Sequence, residues 1–522
     1  MADKKGTPLP IIKKKEGTEE RSIVMNKVDR NISSTEQTKT SEEKKVTFNI
    51  SKENNFSDWY SEIVEKANIA DIRYNVKGFV VIREWGALAI ENMYQLYEQA
   101  LQRTGHMPVI FPTVIPEANF KKESGHVEGF TPQVFWLQEV GEEKLALRPT
   151  SETAFYQMYN LWIRSWRDLP LRLYQRANVF RYETKATRPL IRGREFYWLE
   201  SHDAFATKKE AEEQVQEDIR MTDSVMHKVF GVPFLPLKRP QWDKFPGAEY
   251  TIGSDSIMPD GKIIQQPSTH LLGQHFSKAF DIRFADDAGK EDFVWQTCYG
   301  PAISRILASV IAIHGDDSGL VFPFKISPRQ VVIVPIFSVN NEKKVLEFAT
   351  KLNNTLFNYG IKSQLDIRNK RPGEKFFYWE MKGVPFRIEI GEREIDAKEA
   401  TLFIRDKRER IKIKLDNIEE NIKKLGKEFD KRLLDNADKM FDNIIVSCKS
   451  EEDIKKALDN KKIARFSFCS VEKDGEKCAA FVEKELQAGV RGTRADKKEK
   501  AEGKCLFCGK AAKEVVYAGK SY

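Results

Sequence analysis

Two short stretches carry residue types that could handle a nucleotide. Phe180-Arg181-Tyr182-Glu183 and Arg192-Gly193-Arg194-Glu195-Phe196 bring guanidinium groups, carboxylates and aromatic rings together. A planar guanidinium matches phosphate oxygens in pairs, and a phenyl ring offers a face on which a base can stack. Taken alone, the same pattern fits an Arg-Glu ladder on a solvated sheet. A third cation, Arg305, lies in Tyr299-Gly300-Pro301-Ala302-Ile303-Ser304-Arg305-Ile306-Leu307, where helix-start chemistry leads into an apolar run through Val310, Ile311 and Ile313. A lone cation in a core helix requires either a buried carboxylate or a bound phosphate.

Two further clusters have chemical character. Arg148-Pro149-Thr150-Ser151-Glu152 is a polar stretch delivered by a strand-turn-strand pattern over 135–147, and Thr150 or Ser151 could equally serve only as the N-cap of a helix beginning at Thr153. Cys469, Cys478, Cys505 and Cys508 are four of the chain's six cysteines, and Cys505-Leu506-Phe507-Cys508 is a C-x-x-C knuckle. Four thiolates suit a tetrahedral structural zinc, and no histidine follows His314, so the set must be all sulfur. A redox pair or buried free thiols are the alternatives. Gly519-Lys520-Ser521 is no phosphate-binding P-loop, because Glu514 stands where the earlier glycine would be needed.

In chain order, Phe111-Pro112-Thr113, the 180–196 pair and the Arg305 helix resemble motifs 1, 2 and 3 of class II aminoacyl-tRNA synthetases, and more closely the archaeal and eukaryotic type of prolyl-tRNA synthetase. The resemblance runs from about Asn55 to Tyr522. Its most specific stretches are Arg148-Pro149-Thr150-Ser151-Glu152-Thr153, Arg194-Glu195-Phe196-Tyr197-Trp198, Ser268-Thr269-His270-Leu271-Leu272-Gly273-Gln274, His314-Gly315-Asp316 and Lys382-Gly383-Val384-Pro385.

The resemblance implies a proline–tRNA ligase that uses ATP, accompanied by magnesium, and acts on tRNA(Pro) as a cytoplasmic homodimer with structural zinc. It places Arg181, Glu183, Arg192, Phe196, Gln265, Ser268 and Arg305 at ATP, with Arg181 and Arg305 catalytic. It places Thr150, Glu152, Arg181, Trp198, Glu200, His202, Phe245 and His270 at L-proline, although His270 could also be an ordinary core histidine. The family spaces its first cysteine pair more closely than Cys469 and Cys478, and Asp474-Gly475 is the turn former that lets the longer loop close. The end of the chain, Tyr522, is expected to fold back toward the active site, beyond a flexible 519–521 segment. The alternative is a ring that merely covers the zinc region. A synthetase-like tRNA-binding or regulatory protein without catalysis would be marked by a lost motif arginine, and both Arg181 and Arg305 are present.

The elements that must position these residues follow from periodicity. At 522 residues and 41% hydrophobic content the chain exceeds one core, and no run approaches the ~20 apolar residues of a membrane helix. The net charge of +8 is modest, with a basic excess over 491–522 that suits a polyanion. Residues 1–50 are polar and aperiodic and read as a disordered tail. The resemblance implies a class II antiparallel-sheet catalytic domain over 51–326. It opens with a helix at Phe56, a strand over 74–83, a helix with Ile90, Met93, Tyr94, Tyr97 and Leu101 on one face, and a strand over 109–112 that the resemblance assigns to a dimer interface. The 173–181 and 196–200 strands follow, joined by a loop at 184–191. A helix over 210–229 comes next, then a strand over 263–266 leading into a loop and helix over 268–274. The span from Phe196 to Tyr299 leaves no room for the editing insertion that bacterial relatives usually carry. Strand-helix alternation predicts a small α/β domain with a mainly parallel sheet over 327–415, which the resemblance makes the anticodon-binding domain; its cations and aromatics at 368–377 suit splayed bases, the alternative being a charged loop beside the core. A long helix through Ile418, Ile422, Leu425, Phe429, Leu433 and Met440, slightly weakened by Gly426, opens the linker and small α+β zinc-binding region at 416–522.

Overall fold

The computed structural model describes residues 50–122, 134–138 and 144–522. The tail assigned to 1–50 falls, but for Ile50, outside the described residues, as does the charged turn at 139–143.

The alternation over 173–181 does form a strand, Leu171–Phe180, paired antiparallel with Glu195–Phe205 from Leu171 opposite Ala204 to Phe180 opposite Glu195. These two strands belong to an 11-stranded sheet. Its centre runs through Leu235–Lys238, Tyr250–Ile257, Ile263–Gly273 and Trp295–Gly300, each antiparallel to the next. One face is covered by the helices Glu84–Arg103 and Ile303–His314, whose Met93, Tyr97, Ile306 and Leu307 are buried in a common core. Against the other face the helix Glu152–Trp162 packs Phe155, Tyr156 and Tyr159. The predicted apolar face of Ile90, Met93, Tyr94, Tyr97 and Leu101 is buried throughout.

Three strand expectations change. Over 74–83 only Val81–Ile82 is strand, paired with Ala70–Asp71. The edge strand near Phe111 is Met107–Pro108, parallel to Leu171–Phe180. After Val109 donates to the Tyr174 carbonyl at 2.8 Å the ladder ends, and the Phe111 amide turns to Gln175 Oε1 at 3.0 Å. Most consequential, 268–274 is not a loop and helix. It is the second half of the Ile263–Gly273 strand, bonded on one side to Tyr250–Gly253 and on the other to Gln296–Gly300. A short helix, His275–Ala279, begins only after Gln274.

After Pro323 a separate core forms around a five-stranded sheet ordered Ser363–Leu365, Val331–Pro335, Phe386–Ile390, Glu399–Ile404, Glu409–Lys414. The first three strands are parallel and the last two antiparallel, so the sheet is mixed rather than mainly parallel. The Glu409–Lys414 strand is short and largely charged, and only Ile411 and Ile413 turn toward the core. The residues 372–381 form a helix, Pro372–Met381. The long helix is Ile418–Asp442, and its Ile418, Ile422, Phe429 and Leu433 complete this second core. Gly426 is a packing requirement there and not a weakness, because a Cβ would stand 2.6 Å from the Phe324 ring.

The C-terminal region adds strands Ile445–Ser447, Ile463–Phe468, Glu514–Gly519 and Gly489–Arg494 to the far edge of the large sheet. The segment 519–521 is ordered against the catalytic sheet: the Ile263 amide donates to the Lys520 carbonyl at 2.7 Å and Ser521 bridges Ile263. Among the described residues no helix is long and apolar enough to cross a membrane.

Candidate active site

Because strand residues alternate between faces, Trp198, Glu200 and His202 of one strand and Ser268 and His270 of another emerge on the same side of the sheet. With Thr150, Glu152, Arg181, Phe245, Gln265 and Arg305 they line one cavity of ≈ 130 Å³. Its acidic side is built from hydrogen bonds. Glu200 accepts from Ser151 Oγ at 2.5 Å, from Gln175 Nε2 at 2.9 Å and from His202 Nε2 at 3.3 Å. Burial pushes the Glu200 carboxyl up, but the bond and charge of His202, with Ser151 and Gln175, outweigh it and hold the pKa below the usual range. For His202, burial is likewise outweighed by Glu200, Glu152 and Asp203, so its pKa rises. Glu152 accepts from Thr150 Oγ1, and Cys298 Sγ lies 3.4 Å from it.

Ser151 stands at the N-cap position of the Glu152–Trp162 helix, yet its hydroxyl goes to Glu200 and makes no cap bond, so capping is not its role. His270 is bonded at both nitrogens, to Thr251 Oγ1 at 2.8 Å and Ser268 Oγ at 3.0 Å, and burial lowers its pKa to about 4, which keeps the ring neutral. The Phe245 ring sits 4.6 Å from it, centroid to centroid.

The cationic side lies across the cavity. Arg181 stands 5.7 Å over the Trp198 ring and donates from Nε to the Pro149 carbonyl at 3.2 Å. Arg305 stands 5.0 Å over Phe196 and donates to the carbonyls of Ile191, at 3.1 Å, and Gln265, at 3.5 Å. Among the described residues no carboxylate lies within ion-pair distance of Arg305, which leaves the bound-anion reading of this cation. Burial, then the charges of Arg181 and Arg192, bring its pKa down to about 10. Such a group is stabilised when an anion arrives.

Glu183, Arg192 and Phe196 lie outside this cavity. Arg192 and Glu183 pair at 3.5 Å, Arg192 lines an adjoining cavity that shares Gln265 and Arg305, and Phe196 lies beneath Arg305. Tyr522 reaches the same neighbourhood: its main-chain oxygen accepts from Arg192 Nη2 and its hydroxyl donates to Asp260 at 2.8 Å.

Sequence reasoning missed Ser151, Gln175, Cys298 and Gly300. Gly300 could have been suspected, since it lies within the Tyr299-Gly300-Pro301 stretch; a Cβ there would fall 2.6 Å from the Trp198 ring. The other three are ordinary polar residues whose importance comes only from tertiary contact.

In the C-terminal region, the sulfur atoms of Cys469, Cys478, Cys505 and Cys508 lie within 4.8 Å of one another. Cys469 follows a strand, Cys478 sits in the first turn of the Glu476–Leu486 helix, and the Lys473–Gly475 turn closes the loop between them. Gly475 permits that closure, as a Cβ would meet the Ser470 carbonyl oxygen at 1.9 Å. Four convergent thiols without an acid or imidazole among them fit a tetrahedral thiophilic ion.

Comparison with known proteins matches this geometry. Family models described as the tRNA synthetase class II core domain (G, H, P, S and T), the anticodon binding domain, and the C-terminal domain of prolyl-tRNA synthetase match residues 135–314, 330–425 and 451–522. The chain is 49% identical over 480 residues to the proline–tRNA ligase of Thermofilum pendens, covering 91% of this chain and 98% of that one. It is 43% identical over 477 residues to that of Pyrococcus abyssi, with 90% and 98% covered. The solved prolyl-tRNA synthetase of Giardia lamblia in complex with prolyl-adenylate superposes with a TM-score of 0.87 at 37% identity, over 91% of this chain and all 100% of that one. The Cryptosporidium parvum enzyme with halofuginone and AMPPNP gives 0.84 at 32%, over 91% and 99%. The chain therefore belongs to the prolyl-tRNA synthetase family of class II aminoacyl-tRNA synthetases.

Proposed function

We propose that this protein is a proline–tRNA ligase that activates L-proline with ATP and transfers it to the 3′ end of tRNA(Pro). The observation that carries the reading is a single cavity with carboxylates and an apolar slot on one side and Arg181 and Arg305 on the other. A prolyl ammonium offers two N–H donors, which Thr150 and Glu152 receive, with Glu200 held ionised by His202. Trp198 and Phe245 flank the ring methylenes, and neutral His270, fixed by Ser268 and Thr251, closes the slot.

The proline carboxylate oxygen then forms a bond to the α-phosphorus of ATP while the bond to the bridging oxygen breaks and pyrophosphate leaves. Arg181 neutralises the α-phosphate as charge moves in that step, Arg305 the γ-phosphate, and Arg192 joins them. Phe196 stacks on adenine, Glu183 accepts from its amino group, and Gln265 and Ser268 line the nucleotide's path. Magnesium bound to the polyphosphate would offset part of its charge. In the second step the terminal ribose hydroxyl of the tRNA attacks the prolyl carbonyl and AMP departs. No covalent bond to the enzyme forms; catalysis is positioning and charge stabilisation.

The units divide the work, with catalysis in 51–326, anticodon reading in 327–415, and in 416–522 a zinc ion held by Cys469, Cys478, Cys505 and Cys508 that ties the C-terminal loops together. A homodimer is favoured by the apolar side chains beside the Met107–Pro108 edge strand, where Met107 is 62% and Ile110 96% exposed. An inactive tRNA-binding role is disfavoured by the retention of both motif arginines. Exchange of labelled pyrophosphate into ATP tests the reading: it is expected to require proline, and exchange that is indifferent to proline contradicts it.

A further inference from the structure

The C-terminal region reaches the cavity adjoining the reaction site with Arg491 as well as with Ser521 and Tyr522. Its Gly489–Arg494 strand pairs with Leu235–Lys238 of the catalytic sheet, Thr493 opposite Lys238 and Arg494 opposite Leu237. Gly492, at φ +121°, makes that approach possible, since a Cβ would stand 2.0 Å from the Lys238 carbonyl oxygen. Its neighbour Arg491 points inward. Arg491 Nε donates to Asp255 Oδ2 at 2.8 Å, and Nη2 donates to Asp255 Oδ1 at 3.2 Å and to Gln265 Oε1 at 3.5 Å.

Arg239 grips the same two partners from the other side, donating to Asp255 at 2.6 and 2.8 Å, to Gln265 Oε1 at 3.3 Å and to the Arg491 carbonyl at 2.9 Å. Both Asp255 and Arg239 are buried, and Gly253 is needed beside them, because a Cβ would fall 2.2 Å from the Arg239 guanidinium. Asp243, half exposed, is the second acid of the cluster, 3.8 Å from Arg491 and 3.9 Å from Arg239. The two guanidinium groups share one buried carboxylate, a costly arrangement that replacement by apolar side chains would relieve.

The cluster adjoins the nucleotide side of the site. Arg491 and Gln265, with Arg192, Arg305, Ile263 and Tyr522, line a cavity of ≈ 240 Å³ that shares Gln265 and Arg305 with the proline cavity. The Gln265 carbonyl in turn accepts from Arg305 Nη1 at 3.5 Å.

We infer that Arg491 is a positioning residue for ATP: it holds the Gln265 side chain, and through the Gln265 backbone it orients Arg305 toward the phosphates. The cysteine-bearing region thus completes the nucleotide site from outside the catalytic domain. The inference rests on the proposed ligase function. The test is steady-state pyrophosphate exchange by the full chain carrying Arg491→Ala, Arg491→Lys, Gln265→Ala or both alanines, each checked for zinc content and melting temperature. Arg491→Ala is expected to raise the KM for ATP about tenfold and leave the KM for proline within about twofold. In the Gln265→Ala background it should add less than about twofold, because the two residues act as one unit. Arg491→Lys keeps the charge and loses the fork, so its KM for ATP is expected between wild type and Arg491→Ala; it decides the matter if the alanine variant does not fold. An unchanged KM for ATP in both variants, or effects of Arg491 and Gln265 that multiply independently, overturns the inference while the ligase reading stands. Loss of proline dependence in the wild-type chain would instead overturn the ligase reading, and the inference with it.

Discussion

Arg181, Glu183, Arg192 and Phe196 stood out in the sequence as charges beside aromatic rings at the ends of two strands, and Arg305 as a lone cation in an apolar helix. How far the fold withdraws them from water could not be read there, and it is that desolvation that lowers the Arg305 pKa to about 10 and makes it receptive to an anion. Arg181→Ala is expected to reduce proline-dependent pyrophosphate exchange at least a hundredfold, on the order of a lost transition-state charge contact, with the melting temperature little changed. Near-normal exchange by that variant would remove Arg181 from the chemistry. Gly300 makes the complementary case, since its role is to be absent. A methyl group there would press on Trp198 at 2.6 Å, so Gly300→Ala is expected to raise the KM for proline about tenfold and leave that for ATP nearly unchanged. Equal effects on both substrates would show that Trp198 does not wall the proline slot. Ser151 and Gln175 illustrate what the sequence withholds: their hydroxyl and amide matter because the fold points them at Glu200.

At the scale of elements, strands and helices with one buried face were legible, including the Leu171–Phe180 and Glu195–Phe205 pair, the helix Glu84–Arg103 and the long helix Ile418–Asp442. Two other strands were not legible. The 268–273 stretch is central in its sheet, so its Ser268, Thr269 and His270 face polar partners and break the alternation that announces a strand. Glu409–Lys414 is a short edge strand in which four charged residues surround the inward Ile411 and Ile413. The cysteine cluster draws on three separate elements, which makes the metal a tie between segments. Elemental analysis of protein purified without chelator is expected to find about one zinc per chain, and Cys505→Ser should release it. Proteolysis of the metal-free variant should then cut 451–522 before the catalytic region. Full zinc retention by Cys505→Ser would contradict the four-sulfur site.

Across the whole molecule, the four C-terminal strands and the catalytic strands belong to one continuous sheet, joined at Thr493 and Arg494. No periodicity in the sequence announces that join; it depends on Gly492 and on the register of two strands that lie far apart in the chain. Between Glu195–Phe205 and Trp295–Gly300 the chain is occupied by elements that pack on this sheet and its helices. No separate hydrolytic unit is inserted there. A slot for proline cannot exclude the smaller alanine, and missing methylenes are worth only about 1–3 kcal/mol each. Slow alanyl-tRNA formation without clearance is therefore expected, and rapid hydrolysis of preformed alanyl-tRNA by the purified protein would reveal an editing site in this fold. The most direct test of the account is transfer of labelled proline to a tRNA(Pro) transcript by the full chain. The account predicts ATP-dependent prolyl-tRNA formation that stops with Arg181→Ala. Preference for another amino acid, or tRNA binding without any charging, would contradict it.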